Sequence, residues 1–408
     1  MSNTIPHTIT LQDGTRCNLS KRMRKGAKPL VAFLSEIPDP RDAKGRRHSL
    51  TLILLLVFVA TLQGSQSLKD ASLFGKINQK LFERILGVTF CHGIPRANTI
   101  SSVLQAIDPD LLVNAFLQFL ELLGITITTT DVLSFDGKTI RGANGEGVIR
   151  HMLSLFSHGS HLAIGQVGVA GKESEIAALE RLLEQATRHD LIAKKLLLGD
   201  ALHTQKTTVD LILTAGADYL FVVKGNQPGL KTTILRETEA AIGGASATDS
   251  FTMVTTDRKR EITTTVTTLR LANASDAGRV LLGDWHGVKT IGILHRTGTR
   301  VSKDGTVAQV DETVGFISSR ILSAKAIATH LHNHWCIENN LHWVKDEVYG
   351  EDKHTLRKGK APQVMSYIRS MCITVCNVLK VRSISDVIHN VQKSTRLLGQ
   401  FLRMGAIV

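Results

Sequence analysis

The first part of the chain has the periodicity of helices. A continuous apolar run from Leu50 to Leu62 predicts a fully buried helix, whereas the mixed pattern from Leu68 to Leu86 predicts a more polar one. The triplet Gly93-Ile94-Pro95 interrupts this pattern with residues that break helices. Residues 49–126 are therefore expected to form a helical N-terminal domain.

Two further helices follow this break. Asn98 or Thr99 is positioned to cap the first, and Asp108-Pro109 stops it before the second, Leu111 to Leu123, begins. The first of these helices carries Arg96 and Ser101, so the segment is compatible with a helix–turn–helix that reads DNA. A plain helical bundle explains the same pattern and is the favoured interpretation.

From Ile127 onward, short apolar runs of strand length alternate with helical patterns, which is typical of an α/β fold. The predicted elements are a strand at 132–136, a hairpin at 152–156 and 162–169, a helix at 174–187, a strand at 195–199, a helix at 204–215 and a strand at 219–223. Residues 231–320 are rich in Thr and Val and predict a β-rich insertion.

Helical periodicity resumes at Ala324 and continues to Leu341. A last amphipathic helix places Val364, Ile368, Met371, Val375 and Leu379 on one buried face. The predicted organisation is a basic leader at 1–48, the helical domain at 49–126, an α/β domain at 127–380 and a helical tail at 381–408.

The charge balance points to a polyanionic partner. The chain has 49 Lys and Arg against 36 Asp and Glu, a net charge of +13, and ten of these cations lie between Arg16 and Arg47. The leader is therefore a candidate for phosphate contact, with a solvated basic tail as the alternative. No secretory signal is visible, and the longest apolar run falls short of the ~20 residues that a membrane span needs. We expect a cytoplasmic protein that binds no membrane.

The candidate chemistry rests on three acidic residues. Asp136 and Asp200 each follow an apolar strand, and the carboxyl ends of strands are where α/β sheets bind ligands. Glu338 lies in a helical segment, where His342 and Lys345 are expected to share its face. Carboxylates in such positions suit Mg²⁺, although each acid alone is equally typical of a turn, a cap or a surface ion pair.

Several motifs together give the sequence a family resemblance that extends from about Leu34 to Leu379. They are Ile37-Pro38-Asp39-Pro40-Arg41, Gly45-Arg46-Arg47-His48, Ser134-Phe135-Asp136-Gly137-Lys138, Gly199-Asp200-Ala201-Leu202-His203-Thr204-Gln205, Val223-Lys224-Gly225-Asn226-Gln227 and His334 to Asn339 with His342-Trp343 and Glu351-Asp352. In these motifs the chain resembles the H-repeat-associated insertion-sequence transposases, which are Asp-Asp-Glu (DDE) enzymes with an RNase H-like core.

The resemblance implies an RNase H-like mixed-sheet catalytic core with a β-rich insertion, preceded by a helical domain. It also implies that Asp136, Asp200 and Glu338 hold two Mg²⁺ or Mn²⁺ ions that drive DNA cleavage and strand transfer. Asp200 follows Asp136 by 64 residues, and Glu338 follows Asp200 by 138, an interval that contains the insertion. The expected partner is double-stranded DNA, both the terminal inverted repeats of the element and the target, bound by a homodimer that associates with the nucleoid.

Other residues are expected to contact DNA or its phosphates. These are Lys138, His203, Lys224, Asn226, Gln227, His334 and Lys345. Related transposases carry a Tyr, Arg, Glu, Lys signature around the third acid; here Leu331 and His334 replace the first two, and His334 can still donate a hydrogen bond. The basic run from Lys353 to Lys360 is a further candidate phosphate track.

Two other functions remain open. One is an RNase H-like nuclease that lacks strand transfer, and the other is a host-adopted DNA-binding protein that no longer catalyses. A Ser or Cys hydrolase has little support, because neither a GxSxG elbow nor a placed Cys/His pair is present. Trp335 and Trp343 are predicted to be core residues rather than platforms for base stacking.

Overall fold

A computed structural model describes residues 8–10, 16–18, 32, 34–86, 89–122, 131–143, 145–170, 175–244, 248–257, 260–301, 306–378 and 383–393. Most of the predicted basic leader, Leu379 of the predicted last helix and the end of the chain after residue 393 lie outside these ranges. The α-helices are α1 Leu50–Leu62, α2 Leu68–Leu86, α3 Ala97–Ala106, α4 Pro109–Leu122, α5 Glu175–Arg188, α6 Lys206–Thr214, α7 Pro228–Gly243, α8 Asp276–Gly283, α9 Ala324–Asn333, α10 Ala361–Val378 and α11 Ile384–Lys393.

The strands form a two-stranded ribbon and one large sheet. They are β1 Thr8–Thr10, β2 Arg16–Asn18, β3 Val132–Thr139, β4 His151–Ser157, β5 Ala163–Val169, β6 Leu196–Gly199, β7 Asp218–Val223, β8 Thr248–Asp257, β9 Arg260–Arg270, β10 Thr290–Val301 and β11 Val307–Ser318. The nine-stranded sheet has the order β5-β4-β3-β6-β7-β11-β10-β9-β8. Only β3, β6 and β7 pair in parallel, and the remaining neighbours are antiparallel. The α/β fold predicted from the sequence is confirmed.

The region predicted as a β-rich insertion is only partly β. Its four strands extend the central sheet through the pairing of β11 with β7. However, α7 and α8 are helices, so the strand prediction is wrong for residues 231–243 and 276–283. In α7, Leu230, Ile234 and Ala241 are buried at helical spacing, and Pro228 begins the helix where a proline is tolerated. Because residues 231–320 are rich in Thr, this apolar stripe was not recognised in the sequence.

The N-terminal helices share their core with the C-terminal helix α10. Every residue of α1 is buried, which confirms the predicted buried helix. Val364, Ile368, Met371 and Val375 of α10 belong to the same apolar cluster as α1 and α4, and this confirms the face predicted for these four. The helix α10 therefore connects the helical region to the large sheet.

The predicted cap of the third helix is wrong. Arg96, not Asn98 or Thr99, occupies the cap position of α3, and its side chain makes no capping hydrogen bond. Ile107 ends α3, and α4 begins at Pro109 after a sharp bend, as the Asp108-Pro109 pair predicted.

Within the described ranges, no single helix has both the length and the apolar composition needed to cross a membrane. One pair of helices, Ala97–Ala106 and Pro109–Leu120, meets these two criteria when taken together, but it is bent by 91°.

Candidate active site

The two aspartates belong to neighbouring parallel strands: Asp136 lies within β3, and Asp200 directly follows β6. Leu133 of β3 pairs with Leu197 of β6, and Ser134 pairs with Leu198. Continuing this register by two residues sets Asp136 opposite Asp200, and adjacent strands are about 4.8 Å apart. Asp136 lies within β3 rather than after its end, as the sequence had suggested, because antiparallel pairing with β4 extends β3 to Thr139.

The turn that follows β6 fixes Asp200. Its Oδ1 accepts a hydrogen bond of 3.0 Å from the backbone N–H of Leu202, which caps the short 3₁₀ helix Ala201–His203. Asn226 and Gln227 brace this turn: Asn226 Nδ2 donates to the carbonyl of Ala201 at 2.6 Å, and Gln227 Nε2 donates to the carbonyl of Thr204 at 3.0 Å. Both amides thus hold the Asp200 turn, and their contact with DNA stays a prediction.

The third acid lies on a π-helical segment. Residues Glu338–His342 and Val344–Val348 make π-type turns, whose i→i+5 hydrogen bonds are wider than those of an α-helix. For that reason Glu338 and Lys345 do not share a face as predicted: the side chain of Glu338 is 57% exposed, whereas Lys345 is fully buried.

His342 joins the first and third acids. Its Nδ1 lies 3.3 Å from Asp136 Oδ2 and 3.4 Å from Glu338 Oε2. A hydrogen bond with His342 is the main cause of the lowered pKa of Glu338. Burial alone lowers the pKa of His342, but the hydrogen bonds with the two carboxylates outweigh it and the pKa is raised. One donor atom from each of the three residues lies within 4.8 Å of the others, a grouping that fits a metal ion.

The negative charges of all three acids act on His334. Burial lowers the pKa of His334, and the charges of Asp136, Asp200 and Glu338 oppose that shift. Nδ1 of His334 is hydrogen-bonded to Ser134 Oγ at 2.7 Å, and this hydroxyl also meets His158 Nε2 at 2.6 Å. Burial lowers the pKa of His158 to about 4. His334 is therefore held in place at the site where it was predicted.

A second cluster, made of one carboxylate and two histidines, lies behind the aspartates. Glu175, the first residue of α5, is hydrogen-bonded to His151 Nε2 at 2.6 Å and to His203 Nε2 at 3.0 Å. These two bonds are the main cause of its pKa of about 2. His203 is fully buried with its ring against Phe135. The prediction that His203 contacts DNA disagrees with this burial; the residue instead ties the Asp200 turn to α5.

Lys138 and Lys345 belong to a buried network of charges. Lys138 Nζ is 2.7 Å from Asp346 Oδ1 and 3.4 Å from Glu351 Oε2. Lys345 donates a hydrogen bond of 3.1 Å to Ser366, and burial lowers its pKa to about 8. A fully buried ammonium cannot reach a phosphate, and the charge of Lys138 is already neutralised by carboxylates. The burial of Lys345 therefore disagrees with its predicted phosphate contact, whereas the phosphate contact of Lys138 stays a prediction; in this structure both lysines support the strand and helix of the site.

Other predicted residues are accessible. Lys224 is 48% exposed and pairs with Glu312 at 3.2 Å, so it lies where DNA could reach it. Trp335 and Trp343, which flank Glu338 along the chain, are 53% and 56% exposed. The prediction that these tryptophans are core residues is therefore wrong.

Sequence reasoning missed some residues of the site. No sequence motif marks Glu175 or His151, because Glu175, His151 and His203 come from three separate elements of the chain. Of the partners of Lys138 in the buried network, Asp346 was also missed, and Glu351 was known only as part of the motif Glu351-Asp352. His342 could be recognised from its spacing of four residues after Glu338, which survives in the π-helical turn.

The arrangement defines the class of protein. Asp136 within one strand, Asp200 directly after the neighbouring parallel strand and Glu338 on a later helical segment match the arrangement of an RNase H-like domain of the DDE type. A family model described as Transposase DDE domain matches residues 127–375, and a second, described as DDE_Tnp_1-associated, matches residues 31–120. The chain therefore belongs to the DDE transposase family.

Individual relatives agree with this assignment. The chain is 31% identical to "Putative protein YbfL" of Escherichia coli (strain K12) and 29% identical to "H repeat-associated putative transposase YhhI" of the same strain. Each alignment spans 360 residues, which is 87% of this chain and 92% of the relative. These relatives confirm the resemblance to the H-repeat-associated transposases.

Proposed function

We propose that the chain is a DNA transposase that cleaves the ends of its element and transfers them into target DNA, with Asp136, Asp200 and Glu338 as the metal-binding acids. The observation that carries this proposal is the convergence of Asp136 and Glu338 on His342, with donor atoms within 4.8 Å. Asp200, which directly follows the neighbouring strand β6, is proposed as the third acid of the site. The donor set fits a divalent ion, since carboxylate oxygens are the preferred ligands of Mg²⁺ and Mn²⁺.

Different side chains would have different roles in phosphodiester cleavage. Two bound divalent ions would activate the attacking hydroxyl and stabilise the leaving oxygen. The three acids hold their positions because β3, the braced turn after β6 and the π-helical segment are each fixed by neighbouring elements. His334, with Nδ1 tied to Ser134, keeps Nε2 for a phosphate oxygen of the DNA beside the acids.

The surface near these acids supplies contacts for DNA. Exposed cations follow the third acid in the loop that precedes α10: Lys353, Arg357, Lys358 and Lys360. This loop packs against Arg141, Gly142 and Gly145, just beyond the strand of Asp136. Together with the net charge of +13, these cations form a track for phosphates at the edge of the site. The exposed rings of Trp335 and Trp343 add platforms that can stack on bases.

Strand transfer separates a transposase from a nuclease with the same fold. The experiment supplies the purified chain with pre-cleaved DNA that ends in the inverted repeats of the element, together with supercoiled target DNA and Mg²⁺ or Mn²⁺. We expect joined products, whose formation from two ends requires at least a homodimer. Cleavage of intact ends without any joining would identify a nuclease, and DNA binding without either reaction would identify a non-catalytic protein.

A further inference from the structure

The imidazole of His342 has an unusual environment. The residue is 3% exposed, and its Nδ1 faces the carboxylates of Asp136 and Glu338 at 3.3 Å and 3.4 Å. Among the described residues, its Nε2 has no hydrogen-bond partner. A buried polar side chain that is only half satisfied and is aimed at two acids calls for an explanation in terms of function.

We propose that His342 is itself a metal ligand, through Nδ1, of the ion that Asp136 and Glu338 hold. This ion would then be bound by two carboxylates and one imidazole instead of by carboxylates alone. The inference rests on the proposed function for the two acids and adds a third donor from the same helix as Glu338.

The separations between the donor atoms agree with ligands of one ion. Ligands that lie about 2.0–2.2 Å from an ion are about 3.0 Å apart at right angles and about 3.4 Å apart at tetrahedral angles. The distances from His342 Nδ1 to the two carboxylate oxygens, 3.3 Å and 3.4 Å, both lie in this range. They are longer than the usual 2.9–3.0 Å of an N–H···O hydrogen bond. A single N–H that is shared between two carboxylates makes two long hydrogen bonds, whereas one ion can accept all three donors at these distances.

The mixed donor set has a consequence for the choice of metal. Mg²⁺ prefers oxygen ligands, whereas imidazole suits first-row transition metals. We therefore expect the site to bind Mn²⁺ at least about 10-fold more tightly than Mg²⁺, with His342 as the source of that preference. Asn is the informative replacement, because its amide lies near the position of Nδ1 and can offer an oxygen.

The test measures Mn²⁺ bound to the full chain without DNA. Pulsed electron paramagnetic resonance detects nitrogen that is directly bonded to Mn²⁺, and labelling with ¹⁵N-histidine identifies it as imidazole. We expect nitrogen coupling in the wild type and its loss in His342→Asn, together with a fall of about 10-fold or more in Mn²⁺ affinity. His334→Asn is the matched control, since His334 is the other imidazole beside the acids, and it should retain the coupling.

Three outcomes would overturn the inference. Bound Mn²⁺ without nitrogen coupling in the wild type would exclude an imidazole ligand even if a variant failed to fold. Coupling that persists in His342→Asn, or that is lost only in His334→Asn, would assign the nitrogen elsewhere. Asp136→Asn and Glu338→Gln separate the two levels of the argument: unchanged Mn²⁺ binding in both would refute the carboxylate assignment as well, whereas loss of binding in both leaves only His342 in question.

Discussion

The bridge between α5 and the Asp200 turn gives a quantitative prediction for Glu175→Gln. The carboxylate of Glu175 accepts hydrogen bonds from His151 and His203, and these lower its pKa from the ordinary 4.5 to about 2. An amide of the same shape cannot carry the negative charge that both histidines stabilise. The variant therefore tests whether this charge fastens the helix to the catalytic turn.

The lowered pKa sets the size of the effect. A pKa that falls from 4.5 to about 2 corresponds to a contribution to the free energy of unfolding on the order of 3 kcal/mol, at about 1.4 kcal/mol per pH unit. The side chain of Glu175 is 19% exposed, so solvent screening removes only part of this. Because the pKa is lower in the folded state, the contribution is complete above pH 4.5 and is lost as the pH falls towards 2.

Urea unfolding followed by circular dichroism measures this contribution. Glu175→Gln should lower the free energy of unfolding by about 3 kcal/mol at pH 7, and the difference from wild type should shrink by more than half at pH 3. Glu180→Gln is the matched control, because Glu180 is an exposed residue of the same helix. A difference that is no larger than that of the control at pH 7, or one that is the same at pH 7 and pH 3, would refute the reasoning.

Three further substitutions test the supports of the site. Lys345→Met removes a fully buried cation beside Glu351 and should lower the free energy of unfolding by about 3 kcal/mol. The control Lys224→Met replaces an exposed lysine and should change it by less than about 0.5 kcal/mol. Equal effects of the two variants in urea unfolding would contradict the buried network. Gly137→Ala would press a methyl group against the carboxylate of Glu175 and should lower the free energy of unfolding by about 1–3 kcal/mol, seen as a lower melting temperature. An unchanged melting temperature would mean that this contact is not tight. Asn226→Ala removes the brace on the second aspartate and should slow DNA cleavage about 10-fold at unchanged DNA affinity; weaker binding instead would mark Asn226 as a DNA contact.

Much of the fold can be predicted from the sequence because local patterns determine it. The apolar runs of β3, β6 and β7 are continuous, as expected for strands covered on both faces. The residues of α10 repeat at helical spacing, and the bend at Asp108-Pro109 follows from the chemistry of proline. In α7, by contrast, the buried positions include Thr233 and Thr238, a residue type that is typical of strands, and packing against β10 identifies the helix.

The site is less predictable because its geometry depends on contacts between distant segments. The apolar runs before Asp136 and Asp200 mark both residues in the sequence, but only the parallel pairing of β3 with β6 brings their strands together. The π-helical turn after Glu338 has no sequence rule, so Lys345 was expected on the wrong face. The exposure of the two tryptophans also depends on tertiary packing. Tryptophan as a residue type is typical of a core, so the sequence alone predicts burial.

The central claim is that Asp136, Asp200 and Glu338 hold the metal ions that cut DNA. Its most direct test is single-turnover cleavage of DNA that carries the ends of the element, in Mg²⁺ or Mn²⁺, with DNA binding measured in parallel. The account predicts that Asp136→Asn, Asp200→Asn and Glu338→Gln each reduce cleavage by at least about 10³-fold at nearly unchanged DNA affinity, while Glu239→Gln, an exposed control, cleaves normally. A carboxamide variant that still cleaves at the wild-type rate would contradict it.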